Sequence, residues 1–440
     1  MDTWSKRGLT VGVLAVTLSG TSAVRAAPPA SAPPGPAVTA LLSVATDGRQ
    51  GDADSFDPSL SADGSTVAFA SLATNLAATG PVTAKVVGVF ARDQRTGRTV
   101  RISDAPGGAA ANGDSRAPAV SGDGSAVAFE SRASNLVAGD GNGASDVFVW
   151  DRASGRTTRV SVGSDGSEGN GASGAPSISA DGRFVAFASE ATGLVPGDHN
   201  RAEDVFVHDR RTGKTTDVSV TSDGRPGNGD SFSPAIAAGG RFVAFASDAT
   251  NLVRDDTNGD TDIFVRDLAS GRTTRVSLGQ SGAQVNGDVF APSISGDGRF
   301  VAFATDAGNV TPGDANRASD VFVHDGQTGR TALVGAGDGG SPSDRGSFTP
   351  SLSADGRFVA FVTDAPLVAG DTNGTEDVYV ADVSSGARRR VSVASDGTQG
   401  DQPSTGPSLS GDGNAVAFES LATDLVVADS NGAEDVFWRR

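Results

Sequence analysis

Apolar residues recur along this chain in two short bursts, and both bursts carry them at odd and even positions alike. One reads "RFVAFAS" (183–189) and the other "DVFVHD" (204–209). A strand half exposed to water alternates apolar and polar residues, whereas one covered on both faces does not. Before the first burst comes "PSIS" and a two-residue "DG" turn, whose glycine supplies the positive φ of a tight hairpin. A loop of roughly a dozen residues separates the bursts. After the second, a "TGRT"-type turn leads into "TTRVSV" (157–162 in one copy). The unit is therefore four short strands. No amphipathic helical period appears after the first 26 residues.

The unit repeats. Its central phenylalanine falls at Phe69, Phe129, Phe187, Phe245, Phe303, Phe361 and Phe418, a period of about 58 residues. Seven four-stranded units on a fixed beat predict an all-β chain, a seven-bladed β-propeller of antiparallel blades, each sandwiched between two others. The last unit stops at Arg440 after its third strand. Its missing partner is at the other end of the chain, where "LLSVATDGRQGD" (41–52) matches "RVSVASDGTQGD" (390–401). The N-terminal strand is thus expected to complete the seventh blade and remove the free edges of an open array.

The repeated phrase S-x-D-G-x-x-V-A-F resembles the TolB-type, WD40-like propeller repeat, over nearly all of the chain from Leu41 to Arg440. That resemblance implies the propeller fold and a partner role in the cell envelope. The TolB propeller has six blades and an extra N-terminal domain, whereas seven repeats stand here. Similar propellers also sit beside the hydrolase domain of prolyl oligopeptidase-type peptidases, a domain not expected in this chain.

Charge narrows the partners. The formal net charge is −18, which argues against nucleic acid, since phosphate binding needs a basic surface. There is no cysteine, so no disulfide, thiolate metal site or thiol nucleophile is available. Residues 1–26 read as a signal peptide: Lys6 and Arg7, then the apolar "GLTVGVLAVTLSG", then small residues at Val24 and Ala26. Residues 27–40 read as a Pro-rich tether and 41–440 as the propeller. A secreted monomer is expected, without a membrane span once the signal is removed.

The turns between first and second strands, and between third and fourth, lie on one face. They are tight and mix Arg183, Arg241, Arg299 and Arg357 with Asp181, Asp209 and Asp325. The other face takes the long, acidic loops. Six of these carry D-x-N-x-x-x-D just before the third strand. The copies are Asp140, Asn142 and Asp146; Asp198, Asn200 and Asp204; Asp256, Asn258 and Asp262. The others are Asp314, Asn316 and Asp320; Asp371, Asn373 and Asp377; Asp429, Asn431 and Asp435.

Two readings of these triplets stand open. Closely spaced Asp and Asn oxygens suit calcium (Ca2+), a hard cation that takes six to eight oxygens. The same residues also hydrogen-bond nearby backbone amides and fix turns. The first unit lacks the triplet altogether. His208 and His324 occupy one repeat position that holds Trp150 and Arg266 elsewhere, and Tyr379 stands where other units have phenylalanine. The histidines read as a variable repeat position, and Tyr379 with the phenylalanines as packing between blades. No G-x-S-x-G, phosphate loop or H-E-x-x-H occurs. Two functions remain: a binding or scaffold module engaging a protein or carbohydrate on the acidic face, and a polysaccharide-active enzyme drawing acid and base from it.

Overall fold

A computed structural model describes residues 37–440 except 78–85, 280–281, 313–315, 317, 336–342, 344 and 428. The signal segment and most of the tether read from the sequence lie outside the described residues, as does Asp314. Seven four-stranded antiparallel sheets follow one another, and no helix among the described residues is long and apolar enough to cross a membrane. Blades 1 to 6 span 55–101, 115–159, 173–217, 231–275, 289–333 and 347–390. Blade 7 takes three strands from 404–439 and its outermost from Thr39–Leu41. First strands of neighbouring blades touch one another, so they line the axis, and the fourth strands form the rim.

Closure is as expected, although the pairing begins inside the predicted tether. Thr39 pairs with Arg439, Ala40 with Trp438 and Leu41 with Phe437. Val38 and Arg440 exchange backbone hydrogen bonds of 3.0 and 3.1 Å.

Second and third strands are buried on both faces because blades press on each from either side. Each blade stacks two rings across these strands, such as Phe245 on Phe264 at 5.9 Å. Every core cluster spans two blades: Phe245 packs with Val205, Val207 and Val218 of blade 3 as well as Val243 and Leu252 of its own.

Two features depart from the simple four-strand reading. The first strand starts three residues before the proline, as in Ser173–Ile178, and is bulged there. Ala175 has φ 47° and precedes Pro176, and Asp57, Ala117, Ser233, Ala291 and Thr349 repeat that left-handed conformation. Proline has no N–H to give to the ladder, so the bulge falls where pairing is already interrupted. The second departure concerns the loops that carry "SDG" after the fourth strand, such as 164–166 and 222–224. Their tips fold down the rim of the next blade. Thr215 donates to Ser164 Oγ (3.0 Å) and to Val162 O (2.5 Å), and Thr273 to Ser222 Oγ and Val220 O (3.0 and 2.6 Å). These bonds satisfy groups on the outermost strand that would otherwise form an open edge.

Candidate cation sites on the loop face

The asparagine of each described triplet folds its own loop. Asn142 Oδ1 accepts the Ala144 N–H (2.8 Å), and its amide donates to Asp146 Oδ2 and Gly169 O (both 3.1 Å). Asn200, Asn373 and Asn431 repeat all three bonds. Asn258 keeps the carbonyl bond, to Val285 O at 2.9 Å, and Asn316 keeps Asp320 and the Ser343 carbonyl as acceptors. The amide oxygen therefore faces a backbone N–H, the geometry of an Asx turn.

The last aspartate opens the third strand and is fully buried in every copy: Asp146, Asp204, Asp262, Asp320, Asp377 and Asp435. In five of them Oδ1 accepts a serine hydroxyl from the segment just beyond the fourth strand. These are Ser161, Ser219, Ser277, Ser392 and Ser43, at 2.5 to 2.7 Å. Burial raises the pKa of Asp146, Asp262, Asp377 and Asp435 above the usual carboxylate value. The serine is the middle residue of "VSV", or of "VSL" at Ser277 and "LSV" at Ser43, a recurring signal that the sequence reading passed over.

Between the first and last aspartates of three blades lies an arginine from the fourth strand. Arg159 Nη1 is 3.6 Å from Asp140 and 3.4 Å from Asp146. Arg275 bridges Asp256 (3.4 Å) and Asp262 (3.2 Å), and Arg390 bridges Asp371 (3.2 Å) and Asp377 (3.4 Å). In blade 7 the position of the arginine is Leu41, and Gln50 bridges Asp429 and Asp435 instead (2.9 and 2.8 Å). Asp371 also accepts the Tyr379 hydroxyl, a role beyond packing for that ring. Among the described residues, Asp140, Asp146 and Glu168 form the one trio of acidic groups with ligand oxygens within 4.8 Å of each other. That trio could hold a metal ion, and here Arg159 lies among its carboxylates.

Blade 3 breaks this pattern. Asp217 stands in register with Arg159, Arg275 and Arg390, each opposite the ring of its third strand. Pro226 replaces the Glu or Gln of the following hairpin. Asp217 Oδ1 accepts both the N–H and the hydroxyl of Ser219 (3.0 Å each), and the same hydroxyl lies 2.7 Å from Asp204 Oδ1. Burial, reinforced by the neighbouring carboxylates, pushes Asp217 up to about 7 and Asp204 up to about 6. Both values lie above the ordinary 3.8, so the stability these groups contribute is full below about pH 4 and lost as pH rises through 6 to 7. In chelator, Asp217→Asn should melt level with the parent near about pH 4. At about pH 8 it should melt on the order of 2 °C or more above the parent. Thermal melts across that range test the sign, and a parent that gains on the variant with rising pH would contradict it.

The opposite face is mixed in sign, as expected, and four of its arginines are clasped to aspartates. Arg183 grips Asp209 through Nε and Nη2 (2.8 and 2.6 Å), and Arg241–Asp267, Arg299–Asp325 and Arg357–Asp382 repeat the clasp. Each guanidinium also lies over the next phenylalanine ring, at 4.4 to 4.8 Å. His208 and His324 are buried, with Nδ1 against Thr215 and Thr331.

No family model matches the chain, and no curated protein matches it. Solved structures do. An oligogalacturonate lyase in complex with manganese is 13% identical and aligns over 88% of this chain and 89% of its own, with a TM-score of 0.52. The acylaminoacyl peptidase of Pyrococcus horikoshii is 12% identical over 84% of this chain and 49% of its own, with a TM-score of 0.51. TolB from Acinetobacter baumannii is 18% identical, over 69% of this chain and 58% of its own, but its TM-score of 0.40 carries no argument. At these identities the likeness to the lyase and the peptidase is one of fold.

Proposed function

We propose that the protein is a secreted binding or scaffold module, acting as a monomer, that takes a protein or carbohydrate partner on its acidic loop face. One observation carries the reading. Asp54, Asp114, Asp230 and Asp288 each precede the innermost strand of a blade, where the loop face meets the axis. Each accepts a backbone N–H from the neighbouring long loop: Glu434, Val87, Glu203 and Thr261, at 3.0 to 3.2 Å. Carboxylates fixed on a rigid ring hold a standing negative field, which attracts cationic groups and speeds their capture. A partner with a basic surface fits best. Biolayer interferometry against a panel of basic proteins and glycans should find a ligand whose capture weakens with salt. Asp54→Lys with Asp230→Lys should lower that capture at least tenfold. A ligand indifferent to both salt and charge reversal would overturn the assignment of this face.

The enzyme reading keeps one supporting observation. Burial, with Glu419, Asp54 and Asp57 nearby, pushes Glu434 up to about 7. A carboxyl that holds its proton near neutrality is what a general acid needs. The neighbour in fold is named for its action on oligogalacturonate and carries manganese. Turnover of oligogalacturonate with manganese, lost in Glu434→Gln, would favour the enzyme over the binding module.

A further inference from the structure

We propose that blade 3 holds one divalent cation, calcium, between Asp198, Asp204 and Asp217, in the place that an arginine fills in blades 2, 4 and 6. The argument begins with what that place does elsewhere. In those three blades a guanidinium nitrogen sits 3.2 to 3.6 Å from both outer aspartates of the triplet. Its other nitrogen donates to a loop carbonyl: Gly139, Asp255 or Gly370, at 3.2 to 3.3 Å. Each place thus holds the two aspartates and a carbonyl around one positive charge, and blade 2 adds Glu168.

Blade 3 keeps the negative half of this arrangement and loses the positive half. Asp198 and Asp204 match Asp140 and Asp146. Gly197 matches Gly139, and both are left-handed, with φ of 92° and 78°. The arginine has become Asp217, so the blade has gained a third carboxylate where its siblings have a cation. Substitution of the shorter side chain also vacates the space of a guanidinium.

A second, independent observation concerns the oxygen that faces the guanidinium in the sibling blades, Oδ1 of the first aspartate. Asp198 is 3% exposed, and its Oδ1 has no hydrogen-bond partner. A buried carboxylate oxygen without a partner is costly, and native proteins fill such places with a donor or an ion. The positive groups nearby are engaged or turned outward. Arg266 of blade 4 donates to Val220 O, Thr221 O and Thr273, and His199 is exposed.

The donors are carboxylate and carbonyl oxygens with neither sulfur nor imidazole, which selects a hard ion over zinc or copper. Calcium accepts an irregular shell of six to eight oxygens, with water supplying the remainder, whereas magnesium demands a strict octahedron. Asn200 stays a turn residue, because its oxygen already accepts the Ala202 N–H at 3.1 Å. The site stands whether or not the loop face takes a macromolecular partner.

Calorimetric titration of the chelator-treated full chain with calcium chloride tests it, with magnesium chloride as control. One calcium per chain is expected, together with a rise in melting temperature. Asp217→Arg, which restores the residue of the sibling blades, should abolish the binding and melt above the parent in chelator. Asp198→Asn with Asp217→Asn should weaken binding at least a hundredfold, and it serves if the arginine variant misfolds. No heat and no melting shift at millimolar calcium would overturn the proposal. So would binding of unchanged affinity in the Asp217 variants, which would move the ion to another blade, such as the Asp140–Asp146–Glu168 trio. A stoichiometry near six would return the calcium to the triplets at large.

Discussion

Phe245→Ala should destabilise the protein by about 3 to 5 kcal/mol, read as a fall in the urea midpoint. The ring has no exposed surface and stacks on Phe264 at 5.9 Å. It also fills the seam between blades 3 and 4, where Val205, Val207 and Val218 come from one blade and Ile236, Val243 and Leu252 from the other. Neither sheet can move in without breaking its own ladder, so the space left by the ring stays largely open and the cavity cost adds to the lost burial. Phe242, three positions earlier on the same strand, is only partly buried and lies under Arg241 at 4.7 Å. Phe242→Ala should therefore cost clearly less. Equal midpoints for Phe245→Ala and the parent would remove the ring from the seam.

Deleting residues 37–50 should do more harm than any single substitution, abolishing the sharp thermal transition and bringing on aggregation. The deletion uncovers the strand Asp435–Arg439, whose partner strand is Thr39–Leu41. It removes Leu42 from the seam between blades 7 and 1. It also strips buried Asp435 of the Ser43 hydroxyl and the Gln50 amide, two of its donors. An unpaired strand, an open seam and a buried carboxylate short of donors act together. A chain beginning at residue 37 is the control and should melt like the full one. Scattering and melting curves for the two truncations decide the matter, and a deletion mutant that melts like its control would refute closure at this seam.

The fold was legible because each blade repeats the same two apolar phrases and the strand pairing is local to the repeat. Closure was legible for the same reason, since Leu41–Asp52 copies the phrase that follows blade 6. The candidate site was legible by halves. D-x-N-x-x-x-D marks the loops, but Arg159 lies thirteen residues beyond Asp146. On the page it looks like one more surface arginine beside a turn. Only strand register carries it back to the aspartates, and register is a property of the hydrogen-bonded sheet. Asp217 was hidden in the same way, because its significance is that an arginine is missing. The hairpin tips misled for another reason: "SDG" marks a turn without saying which way the turn leans, and here Thr215 and Thr273 draw it down the rim. Composition could not reveal the bulges either, since alanine or threonine ahead of proline gives no hint of a left-handed backbone.

The seam between the chain's two ends also sets a timetable. Arg439 donates to Thr39 Oγ1 at 2.6 Å across 400 residues of sequence. Every other blade can pair its four strands as soon as about 45 residues are in hand, from local contacts that form early. The seventh must wait until its last strand has been made, while its outermost strand has existed since the start. A chain emerging from its N-terminus therefore passes through a six-bladed arc with both faces bare, a species exposed to pairing with other copies of itself. Ring completion is the last folding event, and it converts an extensible stack into an object with a fixed number of parts.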